Sequence, residues 1–482
     1  MRYLFQFIFI FYLGLLSNLY SCSKDKVTPP DKEQVLPEKE KEDPPLPDVP
    51  DEPEGLLVST EEELKTAIAQ AAPGDLILMQ DGNWKDLNII FKGTGTPEKP
   101  ITLRAQTGGQ VVLSGNSSLR MSGEYLVVDG LHFKDGETSL GYLIQFRDEK
   151  HQHAHHSRIT NIVVSEFNRT VDDGSDVWVN LFGTHNRVDH CYFHGKRSSG
   201  RIMTVWRSTD AADYHQIDHN HFKDVPVLGQ NGAEAIGIGA SNTSLSDSYT
   251  TIEYNIFENC NGEGELLSIK SGQNTIRYNT VIESQGSISL RHGNNNRVEG
   301  NFILGGQVRL TGGIRIMGEG HIIKNNYIQG LRGTRAALSL IEGLEDSPLH
   351  GYLQIKNVLI AGNTLVDNEV NMVIGDLYNV TSGQIMPVIY SLMKNNVIVG
   401  MNTMSNLIRV LDESTDMAYE DNVVHHGVLN ITDEPGIRVE DPHLQIGADG
   451  LYHYEEDSPF KENIVGQPLD RSEVGPDWMS IP

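Results

Sequence analysis

An asparagine returns at the same place in one short apolar segment after another. TIRYNTVIES (275–284), RVEGNFILGG (297–306), IIKNNYIQGL (322–331), LIAGNTLVDN (359–368) and LMKNNVIVGM (392–401) align on Asn279, Asn301, Asn326, Asn363 and Asn396. Earlier copies place Asn255 and Asn220 there, and Cys191 in VDHCYF. From Cys191 onward the intervals are 29, 35, 24, 22, 25, 37 and 33 residues, a base period of twenty-odd with irregular insertions. A repeat that short cannot bury its own apolar face, so the copies must stack on one another. The runs are Ile-, Val-, Leu- and Phe-rich and are broken by Gly and Asn, which makes them strands. A propeller needs regular blades of about forty residues, and a leucine-rich repeat needs a Leu-rich motif; neither is present. The pattern predicts an all-β chain, a single-domain right-handed parallel β-helix whose recurrent Asn forms a ladder at one corner.

The helix-like exception is EEELKTAIAQA at 61–71, with Leu64, Ala67 and Ile68 at helical spacing, Thr60 as N-cap and Pro73-Gly74 as the stop. A short N-terminal helix there caps the open edge of the first coil. The β-helix domain is therefore expected over residues 56–482. Ahead of it, residues 4–19 are almost wholly apolar and follow Arg2, which reads as a signal peptide over 1–21. Its end, Leu19-Tyr20-Ser21-Cys22, resembles a bacterial lipobox, which makes Cys22 the lipidated first residue of the exported chain. Ser23-Lys24-Asp25-Lys26 loosely resembles the surface-export signals of Bacteroidetes lipoproteins. Residues 23–54 hold eight prolines and dense Glu, Asp and Lys, a composition that forms an extended tether from the membrane anchor. The expected location is the cell surface or outer membrane, with the periplasm as the other option. Cys191 and Cys260 are expected as buried structural residues, and the His run HQHAHH (151–156) as a solvated loop.

The net charge of −27 excludes a nucleic-acid partner on electrostatic grounds. Against that background one local stripe of positive charge stands out. LLSIKSG (266–272), SISLRHG (287–293) and GGIRIMG (312–318) are strand ends on consecutive coils. With Ile269 and Leu290 inward, Lys270 and Arg291 face outward. The spacings of 21 from Lys270 to Arg291 and 24 from Arg291 to Arg315 place all three in one outer row. Such a row suits an extended anionic chain. Just before it comes Asn261-Gly262-Glu263-Gly264-Glu265. Two carboxylates that close repel unless a cation lies between them, and hard oxygen ligands suit Ca²⁺. Strict alternation would bury both glutamates, so a corner or bulge is required around Gly264–Leu266. Asn231, in Asn231-Gly232-Ala233-Glu234, sits where its amide completes the cluster from the neighbouring coil.

The combination N-G-x-E (231–234), E-x-E-x-x-x-x-K-S (263–271) and R-H-G (291–293) resembles polysaccharide lyase family six, the family of alginate lyases and chondroitinase B. The resemblance implies that Asn231, Glu263 and Glu265 bind calcium, that Lys270 is the general base, and that Arg291 is the general acid or its partner. It implies substrate contacts for His292 and Arg315, and it leaves Glu234 without a role. The implied reaction is β-elimination on an acidic, uronate-containing polysaccharide, alginate in the first place and dermatan sulfate in the second. Two other classes compete. A β-helix glycoside hydrolase needs clustered acids over adjacent coils, whereas here a Lys follows the two glutamates. A non-catalytic glycan-binding lipoprotein keeps the basic row but has no use for Lys270 beside carboxylates.

The anchor is directly testable. Cys22→Ala is expected to move the protein from the membrane fraction to the soluble exported fraction, as followed by fractionation and immunoblotting.

Overall fold

A computed structural model describes residues 55–137, 141–169, 176–229, 231–431 and 434–480. The expectations for the signal peptide, Cys22 and the tether lie outside the described residues.

The apolar runs become short strands that pair in three long parallel sheets of 14, 13 and 14 strands. Each coil gives one strand to each sheet, so the chain winds as a right-handed parallel β-helix, the hand that right-twisted strands favour in parallel crossovers. Stacking keeps like over like. In one sheet Ile276 pairs with Val298, Val298 with Ile323, Ile323 with Ile360 and Ile360 with Met393. All five are buried in the central core. Inside another wall Phe193, Phe222 and Phe257 stack face to face, with centroids 5.2 and 4.8 Å apart.

The expected ladder is present. The backbone N–H of Asn255 donates to Asn279 Oδ1, that of Asn279 to Asn301 Oδ1, and that of Asn301 to Asn326 Oδ1, each at 3.0–3.1 Å. The row runs on through Asn363 and Asn396 to Asn422, and Cys191 joins it by donating its N–H to Asn220. Each Nδ2 turns inward to backbone carbonyls, as Asn279 does to Ile252 and Arg277. The residue before each ladder position is left-handed: Tyr254, Tyr278 and Asn325 have φ of 52–55°, and Gly300 and Gly362 have 62° and 63°. One such residue per coil turns the chain sharply between sheets, and the following Asn satisfies the backbone groups that the turn takes out of the sheet ladder.

Helix α1 (Glu61–Gln70) lies where the sequence places it. The Thr60 side chain accepts from the Glu63 N–H, and Leu64 and Ala67 pack into the core. Cys191 and Cys260 are buried free thiols. The His run is more ordered than a solvated loop: Ala154–His155 form a short strand, and His156 stacks between Tyr125 and His185. The other departure is at the C-terminus. The last strand of the coil stack is Ile437–Val439. Beyond it a hairpin forms (Leu444–Ile446 with Tyr452–Tyr454), and the chain then runs back along the outside of the coils. Arg471 pairs with Glu258 at 2.8 Å, Gly475 donates to the His219 carbonyl, and the Trp478 indole N–H donates to the Asn161 carbonyl. Residues past 440 carry no stacking Asn, so they have no coil to extend.

Eight neighbouring strands of the 13-stranded sheet matter below: β1 (Tyr142–Gln145), β2 (Val177–Leu181), β3 (Met203–Val205), β4 (Ile236–Ile238), β5 (Glu265–Lys270), β6 (Gly286–His292), β7 (Thr311–Ile316) and β8 (Leu338–Ile341).

Asn279→Ala removes the acceptor for two Asn255 donors and the donor to two buried carbonyls. With each stranded group costing about 1–3 kcal/mol, a loss of roughly 3 kcal/mol or more is expected, read as a lower urea midpoint. An exposed corner residue such as Tyr390→Ala is expected to change it little.

Candidate active site

The carboxylates gather where β5 begins. Gly262 lies against the preceding coil so closely that a methyl group there would stand 2.1 Å from the Ala233 carbonyl oxygen. This contact brings the 231–234 turn beside Glu263, whose Oε1 accepts the Gly232 N–H at 3.0 Å. Glu234, 1% exposed, reaches the same place and is held by both ends of the Arg201 guanidinium at 2.9 Å. Burial, together with the charges of Glu234 and Glu265, pushes the Glu263 carboxyl up to about 7. Asn231 is exposed beside this group.

The break in alternation that the sequence requires is there, as a bulge. Glu265 pairs with Ser287 but Leu267 with Ile288, so the register slips across Leu266. Leu266 and Leu267 are both in the core, and Glu265 is freed to point outward. Its Oε2 accepts the Ser268 hydroxyl at 2.6 Å. Its Oε1 faces Arg315 Nη1 at 3.3 Å and Arg291 Nε at 3.8 Å.

The basic residues share the outer face, but not as one straight row. A second slip, after Ile269, pairs Lys270 with His292 and leaves Arg291 as the extra residue. A third, between Gly286 and Ile288, pairs Arg315 with Ser289. Arg315 therefore sits two residues before Arg291 along the strand, about 7 Å away. The bulges consume residues that a count of spacings treats as coil length, and this is why the predicted stripe of Lys270, Arg291 and Arg315 bends. The arginines still converge, because both reach Glu265.

Among the described residues the Lys270 ammonium forms no hydrogen bond or ion pair. Arg291 is well held: its guanidinium lies 4.4 Å from the centre of the Tyr352 ring and donates to the carbonyls of Gly351 and His350 at 3.3 and 3.4 Å. His292 is 2% exposed, with Nδ1 unpartnered. Burial and the neighbouring Arg291 and Lys270 push it down to about 3, so its imidazole is neutral. It stands beside Lys270 as part of the floor more than as an open contact surface.

A family model for chondroitinase B matches residues 58–470 of the chain. The chain belongs to that family, polysaccharide lyase family 6. Among solved structures it is similar to the PL6 family alginate lyase AlyGC, with 40% identity and a TM-score of 0.84, over 88% of this chain and 59% of that one. This chain thus spans about six-tenths of that relative's length. It is also similar to a mannuronic acid specific family 6 lyase from human gut microbiota, with 30% identity and a TM-score of 0.70, over 80% of this chain and 90% of that one. Alginate lyase AlyF-OU02, solved in complex with G6, has 26% identity and a TM-score of 0.74, over 88% of this chain and 94% of that one. No curated protein matches the chain.

Several residues of this family 6 site escaped the sequence. Arg201 gives Glu234 its missing role as one half of a buried ion pair, but nothing local marks a residue 33 positions upstream. Tyr352 and His350 belong to the insertion that lengthens the Asn326–Asn363 interval to 37 residues; that length was the available signal. Arg335, against Gly264, carried none.

Arg201→Met is expected to lower stability by about 3–5 kcal/mol, since it leaves the Glu234 charge buried and alone. Adding Glu234→Gln should recover part of that loss, as a thermal-unfolding double-mutant cycle would show.

Proposed function

We propose that the protein is a calcium-dependent polysaccharide lyase that cleaves a uronate-containing glycan, alginate in the first place, by β-elimination. The observation that carries this reading is a half-buried lysine that forms no ion pair or hydrogen bond among the described residues, although its charge acts on Glu234, in register with a neutral His292 and flanked by Arg291, at the end of the strand that begins with Glu265.

In the proposed step Lys270 Nζ takes the C5 proton beside the uronate carboxylate. The C–H electron pair becomes the C4–C5 double bond, the C4–O bond breaks, and the departing oxygen receives a proton from Arg291 or from water it orients. Arg291 and Arg315 stabilise the negative charge that grows on the uronate. The donor set fits a hard cation: Glu263 and Glu265 with the exposed Asn231 amide, and water and substrate oxygens to complete the shell. Among the described residues no group of three or more His, Cys, Asp or Glu side chains is arranged to hold a metal. A cation there also offsets what pushes Glu263 up, its burial first and then the charges of Glu234 and Glu265. Calcium bound there supplies a Lewis acid for the uronate carboxylate.

Alginate is favoured because AlyGC and AlyF-OU02 are alginate lyases and because the net charge of −27 is ill suited to a sulfated chain. Dermatan sulfate is the second reading, since the matching family model is that of chondroitinase B. Tethering at the cell surface or outer membrane through Cys22 completes the proposal and brings the enzyme to a polymer too large to import intact.

The test is ultraviolet absorbance on alginate and on dermatan sulfate, because elimination creates a conjugated double bond whereas hydrolysis and binding do not. Turnover is expected to stop in excess chelator and to return with calcium, with magnesium substituting poorly. Lys270→Ala should reduce the rate about 10²–10⁴-fold. Lys270→Arg should do nearly as badly, because guanidinium cannot act as a base. Near-normal turnover in Lys270→Arg would instead make Lys270 an electrostatic residue.

A further inference from the structure

The outer face of the site sheet continues well beyond Lys270 toward the N-terminal coils, and its register identifies what stands there. Gln145 of β1 pairs with Asn180 of β2, Asn180 with Thr204 of β3, Thr204 with Gly237 of β4, and Gly237 with Ser268 of β5. Two residues further along each strand, on the same face, the row reads Arg147, Phe182, Trp206, Gly239 and Lys270. Backbone hydrogen bonds continue the pairing to these positions: Trp206 donates to the Leu181 carbonyl and Gly239 to that of Val205, each at 2.9 Å.

The first three side chains of this row form one stack. The Arg147 guanidinium lies 4.0 Å from the centre of the Phe182 ring. Phe182 and Trp206 are parallel to within 4°, with centroids 6.0 Å apart. The Trp206 indole N–H donates to Asn180 Oδ1 at 2.5 Å. Trp206 is nevertheless 44% exposed, while Phe182 behind it is 8% exposed. Single exposed aromatics are ordinary on protein surfaces. This one differs in being immobilised at both its ring face and its N–H, so little further ordering is required when a ligand lands on it.

The Arg207 side chain lies beside the row position in front of Trp206, and that position is Gly239. It is left-handed, with φ of 71°, and a methyl group there would meet the Lys270 carbonyl oxygen at 2.8 Å. A side chain is thereby excluded from the one row position between the indole and Lys270. Two strand spacings separate Trp206 from Lys270, about 10 Å. Among the described residues no second ring stacks on the indole's other face.

We propose that Trp206, two coils from Lys270 and backed by Phe182 and Arg147, is the stacking platform of a uronosyl-binding subsite whose sugar ring lies over Gly239, between the indole and Lys270. This rests on the lyase reading above and extends it. A pyranose offers an apolar face of C–H groups, which an aromatic ring removes from water and attracts through its electron-rich face. The platform lies along the solenoid axis from the base, so it contacts only substrates that extend past the reacting unit in that direction.

Kinetics on oligouronates from trisaccharide to hexasaccharide, with wild type, Trp206→Ala and Trp206→Phe, test the platform. Trp206→Ala is expected to raise KM about tenfold on the longer oligomers, the loss of one apolar ring contact. kcat should stay within about twofold, the shortest substrate should be affected least, and Trp206→Phe should recover most of the affinity. In parallel, the Lys270→Ala protein is titrated with hexauronate while tryptophan emission is followed. A saturable change that disappears in Lys270→Ala/Trp206→Phe supports the platform. An unchanged KM in Trp206→Ala on long oligomers, a loss confined to kcat, or an emission change that persists without Trp206 overturns it. If wild type fails to eliminate any uronan, the lyase reading falls, and the emission titration then decides the platform alone: a Trp206-dependent change upholds it, and no change overturns it.

Discussion

Every coil of this solenoid must pass its backbone hydrogen bonds to the next coil, and at the corners the sheets cannot carry them. The asparagine ladder solves that problem at one corner. Each Oδ1 accepts a backbone N–H from the preceding coil, and each Nδ2 returns hydrogen bonds to carbonyls inside the turn. The residue ahead of it, left-handed in every coil from Asn255 to Asn422, makes the turn sharp enough to bring the amide within reach. Because a buried unpaired amide or carbonyl is expensive, the coils have little freedom to slide. Side chains on the outside are therefore delivered at fixed steps of nearly 5 Å, which suits a binding surface for a polymer with its own repeat.

The site is built by interrupting that regularity. Three slips of register, around Leu266, after Ile269 and between Gly286 and Ile288, turn Glu265 outward, place Lys270 beside His292 and set Arg291 apart. The result concentrates unlike charges in a small space. Glu265 faces two arginines, Glu234 is tied to Arg201, and Glu263, buried beside Glu234 with the Gly232 N–H donating to it, is driven up to about 7. A protein with a net charge of −27 repels polyanions at long range, so the attraction that its cations exert on one reaches only about a Debye length from the groove.

How much of this was legible depended on how local the cause was. The capping helix follows from Thr60, the spacing of Leu64, Ala67 and Ile68, and Pro73, all within one stretch of chain. The ladder follows from a residue type recurring at one position. A break in alternation around Gly264–Leu266 was deducible, because with Leu267 and Ile269 inward strict alternation would bury both glutamates; that the break is a bulge rather than a corner came from the register. The straight row of Lys270, Arg291 and Arg315 was not correct, because residue counts cannot separate those in a bulge from those in a turn. The C-terminal strap was read as further coils, since its hold on Glu258, His219 and Asn161 is made across the whole length of the stack.

The sequence by itself determined the solenoid and the chemical content of the site: a lysine, arginines and paired glutamates on consecutive coils of one sheet. These follow from patterns that repeat within a few residues, where strand alternation and hydrogen-bonding capacity are properties of the local chain. Only the tertiary structure decided which of those groups meet. It matched Arg201 to Glu234, laid Tyr352 against Arg291 and lined Trp206 up with Lys270, because contacts between coils depend on the accumulated lengths of insertions and bulges, and no single segment of the chain carries that sum.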